Sequence, residues 1–382
     1  MTENPYESRS LAQMLAIQTQ IQLPGTVGRI LNQIRELEAV ARMFVDAGLV
    51  KSVDRPTPLN LKVSGIGTRS TVKRTVGGFL YATAAVRMDL KIEKNVVSTA
   101  GQDSLCEIDD INFEDQSKIL QLNETRLAYR LAESGLDAFQ PDIILTDCPL
   151  ALNRSMVPSL RKGTEYHRSY GQAIDVIQSF WETRREALFP WHREGTVLGG
   201  VAAQRFGAII HSALADLRDV EGRKQVLSTE NINPVGLKAL DQRTNAISGI
   251  GERRFVFGLL GSFSRTAAFR MNVNTPRMEP ALLPELGVLG VHYRANQNAG
   301  PRLLQLIGDA PDWDAAAIDL ITGQVMALTA TGGEKALPFP IQLAQRELKA
   351  LDHFLENYRR GIAQEMRSRR IEDAWLEELD DF

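Results

Sequence analysis

Apolar positions along the chain change period several times, and each change marks an element. Near the start, Ile30, Ile34, Leu37, Ala41 and Phe44 recur at spacings of four and three, the stripe of a helix packed on one face, after a first helical stretch. Pro56 and Pro58 close that region. The period then falls to that of strands at 59–63, 78–88 and 96–99, with turn residues between them. Helical spacing returns at 116–139, where Leu120, Leu127 and Leu131 share a face, and at 172–188 through Ile174, Ile177 and Trp181. Between these helices lies the short apolar run Ile143-Ile144-Leu145. Residues 196–201 then read as a strand opening into a helix at 204–217. Strands follow at 255–260, 266–273, 288–294 and 301–307, and a helix at 313–328. A long terminal helix starts at Ile341, where Ile341, Ala344, Leu348, Leu351, Leu355, Tyr358 and Ile362 step by three and four. Such a seam can serve a second copy or a partner helix as well as the core.

Three early strands, then strands alternating with helices, predict an α/β fold with a mixed sheet covered by helices on its faces. An RNase H-like core has this order. Here it would span residues 56–366, with an N-terminal helical region at 1–55, extra C-terminal strands and the long terminal helix, and a basic-then-acidic tail at 367–382. Such cores use carboxylates on central strands and a neighbouring helix to hold divalent metals that activate water.

The residues offer candidates for that role. The run 143–146 delivers Asp147 to a strand end, where a Cys-Pro turn exposes it, and α/β folds commonly place chemistry at such ends. Asp is also a common cap, so a purely structural Asp147 stands beside the functional one. In the preceding helix Glu124 falls on the stripe of Leu120 and Leu127, where a carboxylate is costly unless paired or bound to a cation. Arg126 and Arg130 are available partners but point away from that stripe. Glu124 facing Asp147 would make a small oxygen cluster suited to Mg²⁺ or Mn²⁺, and this is favoured over a buried ion pair.

Composition narrows the class. With 43% hydrophobic and 24% charged residues the chain is globular in character, and no apolar run approaches the roughly 18 residues that would span a bilayer. The first residues lack the basic start and apolar block of a signal peptide. Cys106 and Cys148 have no CxxC spacing, which argues against zinc and disulfides and fits a cytoplasmic location. A net charge of −3 gives no overall nucleic-acid footprint, although Arg69, Lys73 and Arg74 cluster, as do Arg359, Arg360, Arg367, Arg369 and Arg370. The acidic tail, with Trp375, Leu376 and Phe382 among its acids, reads either as a solvated end or as a peptide that docks on a basic partner.

With these residues in hand, the chain resembles the NurA nucleases. Asn123-Glu124-Thr125-Arg126 looks like the helix bearing that family's acid. Residues 143–150 look like its strand followed by Asp-Gly-Ser/Pro-Leu. Residues 196–201 resemble its later Gly-containing strand, 264–269 a segment near its dimer-side strands, and 337–345 its closing Tyr-Pro-x-x-Leu-x-x-Ala-His. The resemblance implies a DNA-end-processing nuclease that forms a homodimer, uses Mn²⁺ or Mg²⁺, and works with a HerA-like hexameric ATPase.

The departures carry as much weight. The family's first strand ends in Val-Asp-Gly-Ser, whose Asp bridges the metals. Here Lys62-Val63-Ser64-Gly65 puts Ser64 in the acid's place, and a hydroxyl is a far weaker ligand for a hard cation. Cys148 replaces a Gly, Phe339 an aromatic hydroxyl, and Gln345 the closing His, whose proton exchange an amide cannot match. Asp54, Asp89 or His353 are the groups that would have to supply what is missing. Three expectations follow: an active metal-dependent DNA nuclease with Asp147 and Glu124 as ligands, a catalytically degraded adaptor that keeps the ATPase and DNA contacts, or an unrelated α/β enzyme built on Asp147.

Overall fold

The fold is taken from a computed structural model, which describes residues 10–111, 115–150, 152, 156–158, 164–202, 209, 230, 232–243, 252–271, 287–329, 337–372 and 374–376. The strands are β1 (Val50–Ser52), β2 (Leu61–Thr75), β3 (Gly78–Glu93), β4 (Val96–Ile111), β5 (Ile143–Thr146), β6 (Val197–Ala202), β7 (Ser264–Thr266), β8 (Phe269–Arg270), β9 (Val288–Arg294) and β10 (Arg302–Ile307). They form one ten-stranded sheet in the order β1-β7-β9-β10-β6-β5-β2-β3-β4, with β8 beside β9. Only β2–β5 and β5–β6 are parallel; the other pairings are antiparallel. The expected mixed sheet with flanking helices is therefore present.

Helices cover both faces: α1 (Leu11–Asp46), α2 (Gln116–Ala138), α3 (Glu165–Arg184), α4 (Pro234–Asp241), α5 (Glu252–Leu259), α6 (Ala315–Thr329), α7 (Phe339–Glu347) and α8 (Leu351–Ser368). On one face α2 and α3 pack over β2, β3 and β5 through Leu127, Leu131, Tyr129, Phe180 and Trp181. On the other, α6 and the start of α7 cover Val63, Leu145, Val291 and Leu304. A third core joins the end of α1 to α4 and α5, with the Phe44 and Phe255 rings edge-on at 5.3 Å.

Several expected boundaries move, each for a local reason. The early strands run to 15 or 16 residues because polar Thr, Ser and Lys continue the pairing past the apolar stretch. The two opening helical stretches are one helix, α1, with Pro24 inside it. The strand expected at 255–260 is helical, since Phe255, Val256 and Leu259 serve one buried face at helical spacing. The strand expected at 266–273 is two short ones, β7 and β8, and its last residues lie outside the described ones. The helix expected at 204–217 lies almost wholly outside the described residues. The terminal helix is broken at Leu348–Ala350 by a tighter turn.

The seam offered as a face for a second copy is turned inward. Ala344 and Leu348 pack on Ala84, Val86 and Met88 of β3, and Leu355 on Leu80 and Ala82. Arg265 to Phe269 are likewise buried, Arg265 bonding Glu230 and Asp319 at 2.6 Å each. Arg265 to Phe269 and the first half of the seam are thus taken up in the body, while Leu351, Tyr358 and Ile362 stay half-buried. The start of the tail also folds back: Gly77 Nα donates to the Trp375 carbonyl at 3.0 Å, and Leu376 is buried against the β2–β3 hairpin.

Candidate functional site

At the mouth of the parallel pair, β5 ends at Thr146 while β2 runs on, so Asp147 sits against the flank of β2. Its backbone N–H donates to the Ile66 carbonyl at 3.1 Å. The side chain is held by Thr68: the backbone N–H reaches Oδ1 and Oδ2 at 3.1 and 3.0 Å, and the Thr68 hydroxyl donates to Oδ1 at 2.9 Å. Gln345 of α7 donates its Nε2 to Asp147 Oδ2 at 2.5 Å and to the Thr68 carbonyl at 3.0 Å.

Gln345 gets there because α7 lies directly on β2. A Cβ on Gly65 would come within 2.4 Å of Pro340, and one on Gly67 within 3.0 Å of the Ala344 Cβ. Glycines in a strand mark a close backbone approach, and here they let a helix settle onto the sheet. The turn after Asp147 is pinned from both sides, by the Tyr129 hydroxyl donating to the Leu150 carbonyl at 3.0 Å and by Leu150 N–H donating to Gln305 Oε1 at 2.7 Å.

Glu124 of α2 points into the same mouth, hydrogen-bonded by the side chain and backbone of Ser70, two residues beyond Thr68 on β2. Burial raises its pKa and the Asp147 charge raises it further, against the Ser70 bonds. Burial likewise pushes Asp147 up to about 6, despite the opposing bonds from Thr68 and Gln345. Cys148 lies behind, its sulfur 3.3 Å from the Thr68 hydroxyl; burial and the two nearby carboxylates push its thiol up, so it is no nucleophile.

The sequence-picked residues divide. Asp147, Glu124 and Gln345 converge. Ser64 does not join them: it is level with Ile144 on β5, well short of Asp147, and its hydroxyl donates to Asp89 at 2.6 Å in a fully buried spot. The cause is the unexpected length of β2, which puts the mouth at Thr68 and Ser70. Asp89 is engaged there by Arg87 at 3.1 Å, Asp54 and His353 are exposed, and Phe339 packs into the core at the far end of α7. None of these supplies a missing ligand. Thr68 and Ser70 were missed, although Gly65-x-Gly67 followed by alternating hydroxyls on one strand face was a readable signal.

A resident Mn²⁺ or Mg²⁺ does not fit this donor set. Among the described residues no group of three or more His, Cys, Asp and Glu side chains could hold a metal ion. Two carboxylates suffice for Mg²⁺ only when substrate phosphates complete the shell. Here both Asp147 oxygens already accept hydrogen bonds from protein donors.

The chain superimposes on the crystal structure of the NurA nuclease from Sulfolobus solfataricus with a TM-score of 0.56, covering 93% of this chain and 97% of that one at 12% identity. The chain has the NurA nuclease fold. A NurA structure bound to dAMP and manganese matches at a TM-score of 0.43 (12% identity, 87% of this chain and 93% of that one). An endonuclease V from Bacillus subtilis matches at 0.34 (12% identity, 83% and 91%). The sequence matches no protein-family model and no curated protein. The NurA fold thus stands on architecture.

Proposed function

We propose that this chain is a NurA-like DNA-processing subunit that has given up metal-dependent cleavage and acts as a non-catalytic partner of DNA and a HerA-like hexameric ATPase. The observation that carries this is the capping of Asp147: Thr68 and Gln345 fill its oxygens with neutral donors where a metal nuclease needs them open. The register of β2 supports the same reading. Gly67-Thr68 repeats the Gly-Ser of the resembled Val-Asp-Gly-Ser motif at the strand mouth, which puts Ile66, fully buried, in the acid's place. An isoleucine offers a cation nothing. The DNA and ATPase contacts rest on the resemblance, and the cytoplasmic setting on cysteine usage.

The test is cleavage of linear DNA by the wild-type chain with Mn²⁺ or Mg²⁺, alone and with its ATPase. The expected result is no product, no difference in Asp147→Ala, and DNA- and chain-dependent ATP hydrolysis by the partner. Metal-dependent product that disappears in a folded Asp147→Ala variant would sink the proposal.

A second reading keeps the chain active as a hydrolase, with Mn²⁺ or Mg²⁺ arriving together with the DNA phosphate. One observation favours it: Asp147 and Glu124 share one mouth, and burial raises the pKa of both, so a cation arriving there would stabilise their charged forms. The same cleavage assay separates the two.

A further inference from the structure

The chain does not leave the body where α8 ends. Arg370 takes a left-handed φ of 57°, and the Ile371 N–H donates back to the Met366 carbonyl at 2.9 Å. A cap of this kind turns the chain out of its helix. Three contacts then fix residues 374–376. Gly77 N–H, at the tip of the β2–β3 hairpin, donates to the Trp375 carbonyl at 3.0 Å. The Arg359 guanidinium donates to the Leu376 carbonyl at 3.1 Å. Leu376 itself is 9% exposed, packed with Leu80, Ala82 and Leu355. Gly77 is suited to its part, since a Cβ there would come within 3.2 Å of the Trp375 carbonyl oxygen. One short turn thus ties the hairpin to the last helix.

Charge separates on the two sides of this anchor. Residues 69–74 and 351–371 hold eight Arg and Lys against three Asp and Glu, whereas 372–382 hold six Asp and Glu and no Arg or Lys. The three acids of the first group are engaged within it: Asp352 by Arg69, Glu356 by Lys73 and Glu365 by Arg369. Arg74 and Arg360 stay exposed. A surplus of positive charge beside Thr68 and Ser70 is suited to a phosphate backbone.

The anchor determines what else can reach that surplus. Glu377, Glu378, Asp380 and Asp381 follow directly on Leu376, whose carbonyl Arg359 holds. Six extended residues span up to about 20 Å, and the 18 residues of α8 about 27 Å, so the tail can reach most of the helix.

We propose that the C-terminal tail is a strap that competes with DNA. Trp375 and Leu376 anchor it between the β2–β3 hairpin and α8, and the four acids beyond the anchor screen the basic stretch that DNA phosphates would otherwise take. The strap rests on the DNA contact proposed above and makes that contact conditional: a duplex has to displace the tail.

Anisotropy of a dye-labelled duplex, in EDTA at low salt, compares the full chain with Glu377→Gln/Glu378→Gln/Asp380→Asn/Asp381→Asn, which keeps the anchor. The variant should bind about tenfold more tightly. That gain should vanish when Arg74→Gln/Arg360→Gln is added, and should shrink at about 0.5 M salt, where charges are screened within about 5 Å. Hydrogen exchange gives a second reading on the wild type: the Gly77 amide, slow in the free chain, should speed up as duplex saturates the protein. Equal affinity of wild type and neutral-tail variant overturns the strap and leaves the DNA contact standing. So does a Gly77 amide that exchanges at one rate with and without bound duplex. Failure of both proteins to bind duplex overturns the DNA contact itself, and the strap with it.

Discussion

Two polar clusters lie on the same central strands, one deep and one at the mouth. In the deep one, Asp89 accepts from Arg87 Nε at 3.1 and 3.2 Å and from the Ser64 hydroxyl at 2.6 Å. Arg87 also donates to the Leu131 carbonyl at 3.0 Å, tying β3 to the helix that carries Glu124. At the mouth, the partners of Asp147 and Glu124 among the described residues are hydroxyls, an amide and backbone N–H groups. The deep acid has a cation and is sealed from water. Among the described residues the mouth acids have none; they stay half-buried, and burial makes them hold their protons to higher pH. Burial of charge is tolerated where the opposite charge is built in, and the mouth is where that charge was left out.

The largest break in this comparison should come from Arg87→Met. It strands Asp89 in a site with 5% side-chain exposure, and removing one partner of a buried pair typically costs about 3–5 kcal/mol. Urea denaturation should show that loss, and Arg87→Met/Asp89→Leu should recover most of it. A single-variant loss below about 1 kcal/mol would mean that the pair is not the sealed unit described here.

Ile66→Asp sharpens the comparison from the other side by restoring an acid beside Asp147. Without metal it adds a buried carboxylate next to another, at a cost of about 3 kcal/mol. With Mn²⁺ part of that loss should return as a rise in melting temperature, while the wild type melts alike in Mn²⁺ and EDTA. Strong Mn²⁺ protection of the wild type would return the chain to the metal nucleases.

The acidity of the mouth predicts a pH dependence with a definite sign. An unfolded Asp titrates near 3.9, whereas folded Asp147 titrates at about 6. The folded state therefore holds the proton more tightly. The stability this contributes is fully present below about pH 4 and is lost as pH rises through 6, an effect of about 2–3 kcal/mol. Glu124, raised in the same direction, adds to it. Asp147→Asn should flatten that part of the stability curve between pH 4 and 7. Equal slopes for variant and wild type would show that Asp147 is not the group responsible.

How much of this the sequence revealed follows from which signals are local. The α2 stripe and the apolar run into Asp147 are periodic, so Glu124 and Asp147 were readable and do converge. The ends of β2 are not periodic: Thr68 to Thr75 alternate polar residues on a long hairpin, and pairing with β3 alone decides how far the strand runs. That one misjudged length moved the expected site from Ser64 to Thr68. The α5 segment misled for a related reason, since a short apolar run such as Phe255-Val256 suits a strand or a buried helix equally. Gln345 was found by motif position, but its role depends on α7 lying on Gly65 and Gly67, a contact between segments far apart in sequence.

The smallest effect concerns Gln345 itself. If its amide stands in for the missing positive charge, Gln345→Leu removes one donor from Asp147 Oδ2 and leaves only the Thr68 N–H there. The carboxylate loses a charge-assisted bond while the carboxylic acid loses less, so the Asp147 pKa should climb further above 6. Stability should fall by about 1–1.5 kcal/mol at pH 8 and by less at pH 5, where wild-type Asp147 already carries its proton. Chemical denaturation of both proteins at the two pH values measures the difference. An equal loss at pH 5 and pH 8 would assign Gln345 a packing role only, and the mouth would then differ from the deep cluster by burial alone.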